Sequence, residues 1–213
     1  MKKIILLGSG GHARSVLDTL KQLNSFELIG ILDKKEQVGK VLDGIPIVGI
    51  DQDMEKCYDQ GIEYIFIGVG SIGNTELRKK LYEQALMIGF KFPTIIDSTA
   101  IIGEKVVIEE GTYIGKGSIV NVGSCIGKQC IINTGAIVEH DCNIGEFVHI
   151  GPGAVLSGNV QVGAHTHIGV NSTVIQGIHI GEHTLIGAGS VVVKDIGSYK
   201  KAYGNPCKVV DEA

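Results

Sequence analysis

From Ile102 to Val192 every sixth residue is aliphatic: Ile102, Ile108, Ile114, Val120, Ile126, Ile132, Val138, Ile144, Ile150, Leu156, Val162, Ile168, Val174, Ile180, Ile186 and Val192, with no insertion. Two places before each stands a second column, running from Ala100, Val106, Thr112 and Ser118 through to Thr184 and Ser190, almost wholly small or β-branched. The residue after the aliphatic is often glycine, as at Gly103, Gly115, Gly127, Gly145 and Gly163, which reads as a tight turn at the end of a short strand. One large and one small inward residue in every six describes a parallel β-helix of short flat strands. The 31 glycines, the absence of Trp and the 5% aromatic content fit a core filled by small and branched aliphatic side chains.

The first 92 residues have a different grain. KKIILLG reads as a buried strand, GSGGH as a tight loop, and Ala13 to Leu23 as an amphipathic helix with Val16, Leu17, Leu20 and Leu23 on one face. FELIGILD, IPIVG and YIFIGVG read as further strands, and residues 74–88 as a helix with Asn74 at its N-cap. Strands alternating with helices imply a small parallel α/β unit. The sequence therefore predicts an α/β domain over residues 1–92, a β-helix over 93–196 and a C-terminal tail over 197–213.

Composition narrows the function classes. A chain of 213 residues with 44% hydrophobic content buries a real core. A net charge of −4 and no dense Lys/Arg block argue against nucleic acid and anionic membrane as partners. No apolar run approaches the length of a membrane span or a secretory signal, so a cytoplasmic location is expected. The five cysteines form no C-x-x-C pair and read as reduced thiols used as small core residues, with no metal expected.

The loop 8-GSGGH-12 follows a strand and opens a helix, the setting in which backbone N–H groups hold a phosphate. Asp33, ending the second strand, stands where dinucleotide folds place the acidic residue that reads a ribose or base. The spacing is not the full G-x-G-x-x-G, and some ninety residues make half of a two-lobed dinucleotide domain. An NAD enzyme is therefore not the reading.

Taken together, the hexad columns and the α/β unit ahead of them resemble the hexapeptide-repeat, left-handed β-helix acyltransferases. The resemblance is to the subgroup of sugar-nucleotide 4-amino-sugar N-acetyltransferases and sialic acid O-acetyltransferases. It implies acetyl-CoA as co-substrate, a homotrimer with active sites between subunits, and a role in glycan biosynthesis. It also implies Gly10, Gly11 and His12 at the diphosphate of a nucleotide sugar, Asp33 and Lys34 near its base or ribose, and Gly70 closing the pocket. UDP-linked sugars are the expected substrates, GDP-perosamine an alternative. One departure from the family's pattern is the stretch IGVGSIGNTELRKK, which carries extra residues after the third strand.

In 137-IVEHDCNIGEFVHIG-151, His140 and His149 miss both inward columns and belong on the outside of the coil. One coil beyond His140 is Gly158, which leaves a gap for an acyl thioester and makes the Gly158 N–H a candidate oxyanion donor. Asp141 or Glu139 could bond the ring nitrogen that does not face substrate. The resemblance implies His140 as general base, Asp141 as the acid that raises its basicity, and His149 at acetyl-CoA. Val170 and Ala188, small and one coil apart, mark a path for the pantetheine arm, while Lys194, Lys200, Lys201 and Lys208 read as surface lysines within reach of coenzyme A phosphates. His165, His179 and His183 read as exposed surface residues and His167 as a residue of the coil's outer face. Two other functions stay open: an O-acetyltransferase for a sugar acid, and a non-catalytic trimeric scaffold that binds nucleotide sugars.

Overall fold

A computed structural model of the chain describes residues 1–212. They form two compact units, one of Met1–Ser71 and Glu76–Ile95, the other of Ile72–Thr75 and the chain from Ile96 onward.

In the first unit, β1 (Lys2–Leu7), α1 (Gly11–Leu23), β2 (Phe26–Leu32), β3 (Val41–Leu42), β4 (Ile45–Gly49), α2 (Met54–Asp59), β5 (Tyr64–Ile67) and α3 (Glu76–Ile88) follow in chain order. The sheet order is β3-β4-β2-β1-β5, parallel except for the β3–β4 hairpin. Ile4, Ile5, Leu6 and Leu7 of β1 are all fully buried, as expected of a central parallel strand covered on both faces. Helix α1 buries Ala13, Val16, Leu17 and Leu20 at three- and four-residue spacing and ends on Asn24 in the left-handed region (φ 47°). Helix α3 begins at Glu76, two residues after the start expected from the sequence.

The second unit is a left-handed parallel β-helix. Sixteen two-residue strands run from Ile101–Ile102 to Val191–Val192, each ending on one of the repeat aliphatics. They fall into three sheets, and each strand pairs with the strand eighteen residues on, as Ile119 with Ile137 and Ile137 with Val155. The inner columns close the core: from Ile114 to Val192 the repeat aliphatics are at most 3% exposed. The hydroxyls of the small column are satisfied by backbone carbonyls, Ser118 Oγ donating to Gly115 O at 2.7 Å and Thr166 Oγ1 to Gly181 O at 2.7 Å. Cys130 and Cys142 are buried in that column, whereas Cys125 points outward and is exposed, so its thiol is not a core residue.

The glycines after the aliphatics have a different cause from the tight turn expected of them. The left-handed positions lie elsewhere in each turn, at Gly117, Gly123, Gln129 and Asp141 among others. Gly103, Gly127 and Gly163 are instead crowded by the next coil: a Cβ on Gly163 would sit 2.4 Å from Glu182 N, and one on Gly103 2.6 Å from Val122 N. Stacking distance along the helix, not chain reversal, excludes a side chain there.

The tail extends this unit. Lys200–Tyr203 adds a strand to the third sheet and Lys208–Glu212 pairs with it antiparallel.

Candidate functional site

The carboxyl ends of β1, β2, β4 and β5 open into a cavity of about 480 Å3, the place where open α/β sheets bind ligands. Gly10, Gly11, His12, Asp33, Lys34 and Gly70 all line it. Ideal Cβ atoms on Gly10 and Gly11 would meet nothing within 4 Å, so the backbone there is open to a ligand. The first turn of α1 carries no acidic residue. The positive end of its dipole thus faces the cavity, whose acidic lining residues, Asp33 and Asp51, come from other elements.

Asp33 stands close to the loop. Its Oδ2 accepts the Ser9 N–H at 2.6 Å and the Ser9 hydroxyl, and its Oδ1 accepts the Lys34 N–H at 2.6 Å. Burial pushes this carboxyl up, and the hydrogen bonds from Ser9 and Lys34 outweigh it and hold the pKa below the ordinary value. Ser9, Gln37 and Asp51 also line the cavity and were not singled out from sequence. Asp51 could have been: it follows the end of β4 much as Asp33 follows β2.

In the β-helix, His140 and Asp141 form the turn between the strands Ile137–Val138 and Asn143–Ile144. Coil stacking holds this turn from both sides, Asp141 N–H donating to Val122 O at 3.0 Å and Asn159 N–H to His140 O at 2.8 Å. Asp141 takes a left-handed conformation (φ 56°), and its Oδ2 lies 2.9 Å from His140 Nδ1. Backbone placement thus supplies the reach that the short side chain lacks. Glu139 is occupied elsewhere, accepting the Asn121 amide at 2.9 Å and the His140 backbone N–H at 3.3 Å. With Nδ1–H donated to Asp141, the ring's acceptor lone pair is on Nε2.

Gly158 does lie one coil beyond His140, but the space over it is filled, not empty. A Cβ on Gly158 would be 2.4 Å from His140 Nε2 and 2.5 Å from Cε1. The imidazole rests where a side chain would stand.

His149 projects outward from the third sheet, half-buried, with Asn133 Nδ2 3.1 Å from its Nε2. His167 is its partner in the next strand, with ring centroids 4.7 Å apart. His167 is only 8% exposed, and burial, with the charge of His149 as a smaller cause, lowers its pKa to about 4. Val170 and Ala188 are exposed in the turns that follow the third-sheet strands. Within one chain, His140 on one corner of the coil and His149 on the third sheet are not brought together.

Of the three histidines expected at the surface, one is buried and His183 is half-buried. His165 is 8% exposed, with Nδ1 2.7 Å from Thr75 Oγ1. It stacks between Phe147 and His183, with centroids 5.1 and 4.6 Å away, and His183 stacks in turn on Tyr199. These positions repeat at one corner every eighteen residues from Phe147 to His183, so aromatic rings there pile up along the coil axis. His179 is exposed. Among the lysines, Lys200 is engaged by Glu212 at 2.5 Å, and Lys194, Lys201 and Lys208 are exposed. Among the described residues no group of three or more His, Cys, Asp or Glu is arranged to hold a metal, and no helix is long and apolar enough to cross a membrane.

Residues 3–85 match the family described as the PglD N-terminal domain. Over the whole chain, the fold is similar to a histidine-to-asparagine mutant of perosamine N-acetyltransferase from Caulobacter crescentus, solved in complex with CoA and GDP-perosamine. The identity is 34%, covering 100% of this chain and 98% of that one, with a TM-score of 0.93. The acetyltransferase domain of PglB from Neisseria gonorrhoeae, in complex with acetyl coenzyme A, is 31% identical over 98% of this chain and 99% of that one, at a TM-score of 0.90. WeeI from Acinetobacter baumannii shares the fold at 23% identity, covering 99% of this chain and 100% of that one, with a TM-score of 0.85.

Proposed function

Because this chain belongs to the hexapeptide-repeat sugar acetyltransferases, enzymes that use acetyl-CoA, we propose that it acetylates the 4-amino group of a nucleotide-linked 4-amino-4,6-dideoxy sugar. The observation that carries this reading is the His140–Asp141 pair, 2.9 Å apart, with Nε2 left as the basic nitrogen.

The amine attacks the thioester carbonyl and His140 Nε2 takes the proton it sheds, which leaves a neutral, three-bonded nitrogen. Collapse of the tetrahedral intermediate then breaks the C–S bond, and the departing thiolate of coenzyme A recovers that proton from the imidazolium. Asp141 holds the ring in the tautomer this requires and offsets the charge of the imidazolium that forms. The oxygen of the tetrahedral intermediate is stabilised by the Gly158 N–H or a neighbouring donor. The acetyl group passes directly to the amine, with no acyl-enzyme. Coenzyme A lies against His149, Val170 and Ala188. The nucleotide diphosphate lies on Gly10, Gly11 and His12, with Lys34 toward the nucleoside and Gly70 beside the sugar.

The active assembly is a homotrimer with its sites between subunits, working in the cytoplasm in glycan assembly. What supports association is the outward column of the first sheet. Ile101, Ile119, Ile137, Val155 and Val191 present aliphatic side chains, exposed or half-buried, along the edge that leads to His140. Such a strip of β-branched residues suits a protein partner better than water.

The test is acetyl-CoA consumption against UDP- and GDP-linked amino sugars and free sialic acids, with wild type and His140→Ala. Turnover on an amino sugar that falls by about 10² or more in the variant supports the reading. Near-normal turnover in His140→Ala removes the general base. Turnover only on the free sialic acids replaces N- with O-acetylation, and binding without CoA release leaves a scaffold.

A further inference from the structure

The order β4-β2-β1-β5 lays the cavity of the first unit out as a line. The glycine loop and the start of α1 stand over β1, in the middle. A diphosphate held there sends one arm of the ligand toward the ends of β2 and β4, and the other toward β5.

The β2–β4 arm carries two carboxylates beside Lys34, and the two carboxylates are in opposite states. Asp33 has three of its roughly four acceptor positions filled, by Ser9 N–H, the Ser9 hydroxyl and Lys34 N–H. It staples the loop and has little left for a ligand. Asp51 lines the same cavity, is half-buried, and accepts no hydrogen bond from the described residues. Burial, and after it the negative charge of Asp33, raise its pKa, and the positive charges of Lys80 and Lys34 offset this only in part. A half-buried carboxylate without donors is unfavourable, and N–H groups of a ligand relieve it.

We infer that Asp51 reads the nucleobase of the substrate, accepting the parallel N1–H and N2–H of guanine, so that the sugar is carried on guanosine diphosphate. This rests on the reading of the cavity as a nucleotide-sugar site. The choice of base follows from donor patterns. Guanine's pairing edge offers two adjacent N–H groups that match two carboxylate oxygens. Uracil offers a single N–H flanked by two carbonyl oxygens, and these repel an anion. A bidentate pair of this kind discriminates between bases by about tenfold to a hundredfold.

Binding of GDP, UDP and xanthosine diphosphate to the full-length protein tests this, in wild type and in Asp51→Asn. Xanthine carries a carbonyl where guanine has its 2-amino group. The asparagine amide oxygen accepts N1–H and its NH2 donates to that carbonyl, so the variant should follow the altered base. Wild type is expected to bind GDP at least about tenfold tighter than UDP, and Asp51→Asn to lose that preference and gain at least about tenfold for xanthosine diphosphate. A uniform loss for all three ligands, or no shift toward xanthosine diphosphate, makes Asp51 a structural residue and overturns the assignment. Wild type that prefers UDP and acetylates a UDP-linked amino sugar overturns it too, while the acetyltransferase reading stands. No binding of any of the three removes the nucleotide reading of the cavity, and this inference with it.

Discussion

A methyl group at Gly10 or Gly11 would touch nothing within 4 Å, whereas the same methyl at Gly163 would lie 2.4 Å from the amide nitrogen of Glu182 and 2.7 Å from the carbonyl carbon of Gly181. The first pair sits at the mouth of a cavity at the end of a parallel sheet, and the second between two stacked coils. In the α/β unit the missing side chain leaves room for something that is not part of the chain. In the β-helix it leaves room only for the chain itself. Gly158 is a third case, because a side chain from the coil before, His140, takes up the space. A glycine-rich stretch therefore marks a ligand site only where the fold leaves the opened space empty.

The closed side of this comparison is sharpened first by acid. The folded pKa of His167 is about 4, against an ordinary value of 6.5. Between those two pH values the unfolded chain takes up a proton that the folded chain refuses. The stability tied to this group is whole above pH 6.5 and is lost as the pH falls toward 4, by roughly 3 kcal/mol for about 2.5 pKa units. Denaturant titrations at a series of pH values should show this slope in wild type and a flatter one in His167→Asn.

Gly163→Ala should come next, destabilising by about 2–3 kcal/mol because the added carbon meets backbone that cannot rotate away. A midpoint unchanged in urea would mean that the coils can spread, and the distinction between closed and open glycines would fail. Gly158→Ala separates the third case from the second. The methyl there meets the end of a side chain that is 53% exposed and can turn toward solvent by giving up its bond to Asp141. Thermal stability should hold while kcat drops by about tenfold to a hundredfold, as the imidazole leaves its place.

The smallest effect belongs to the open side. Gly11→Ala, at the first position of α1, should leave stability equal or higher by about 0.5–1 kcal/mol, since alanine favours helix. The same methyl should raise KM for the nucleotide sugar by roughly threefold to tenfold, on the order of 1 kcal/mol of binding. Unchanged KM would show that the ligand does not approach this backbone.

Much of this was legible before any coordinates. The six-residue beat from Ile102 to Val192 maps onto sixteen strands without a slip in register, because an inward aliphatic cannot be moved by one place without exposing it. The six residues expected in the nucleotide pocket all line one cavity, since strand, glycine loop and helix are contiguous in sequence and fold locally. What escaped were contacts made across coils and between strand ends. The burial of His165 depends on Phe147, His183 and Thr75, the last of them ninety residues away in sequence. The idle carboxylate of Asp51 becomes visible only when Asp33, satisfied by its own loop, is found beside it.

By itself the sequence determined the coil, its period and the outward positions of His140 and His149, because each follows from which residues must face the core. Tertiary structure alone decided which acid holds the base. Asp141 reaches Nδ1 through a left-handed turn, and Glu139 is drawn off by Asn121 one coil away. Both acids are one bond from His140 along the chain. Their roles are divided by where the stacked coils point them, which no spacing rule records.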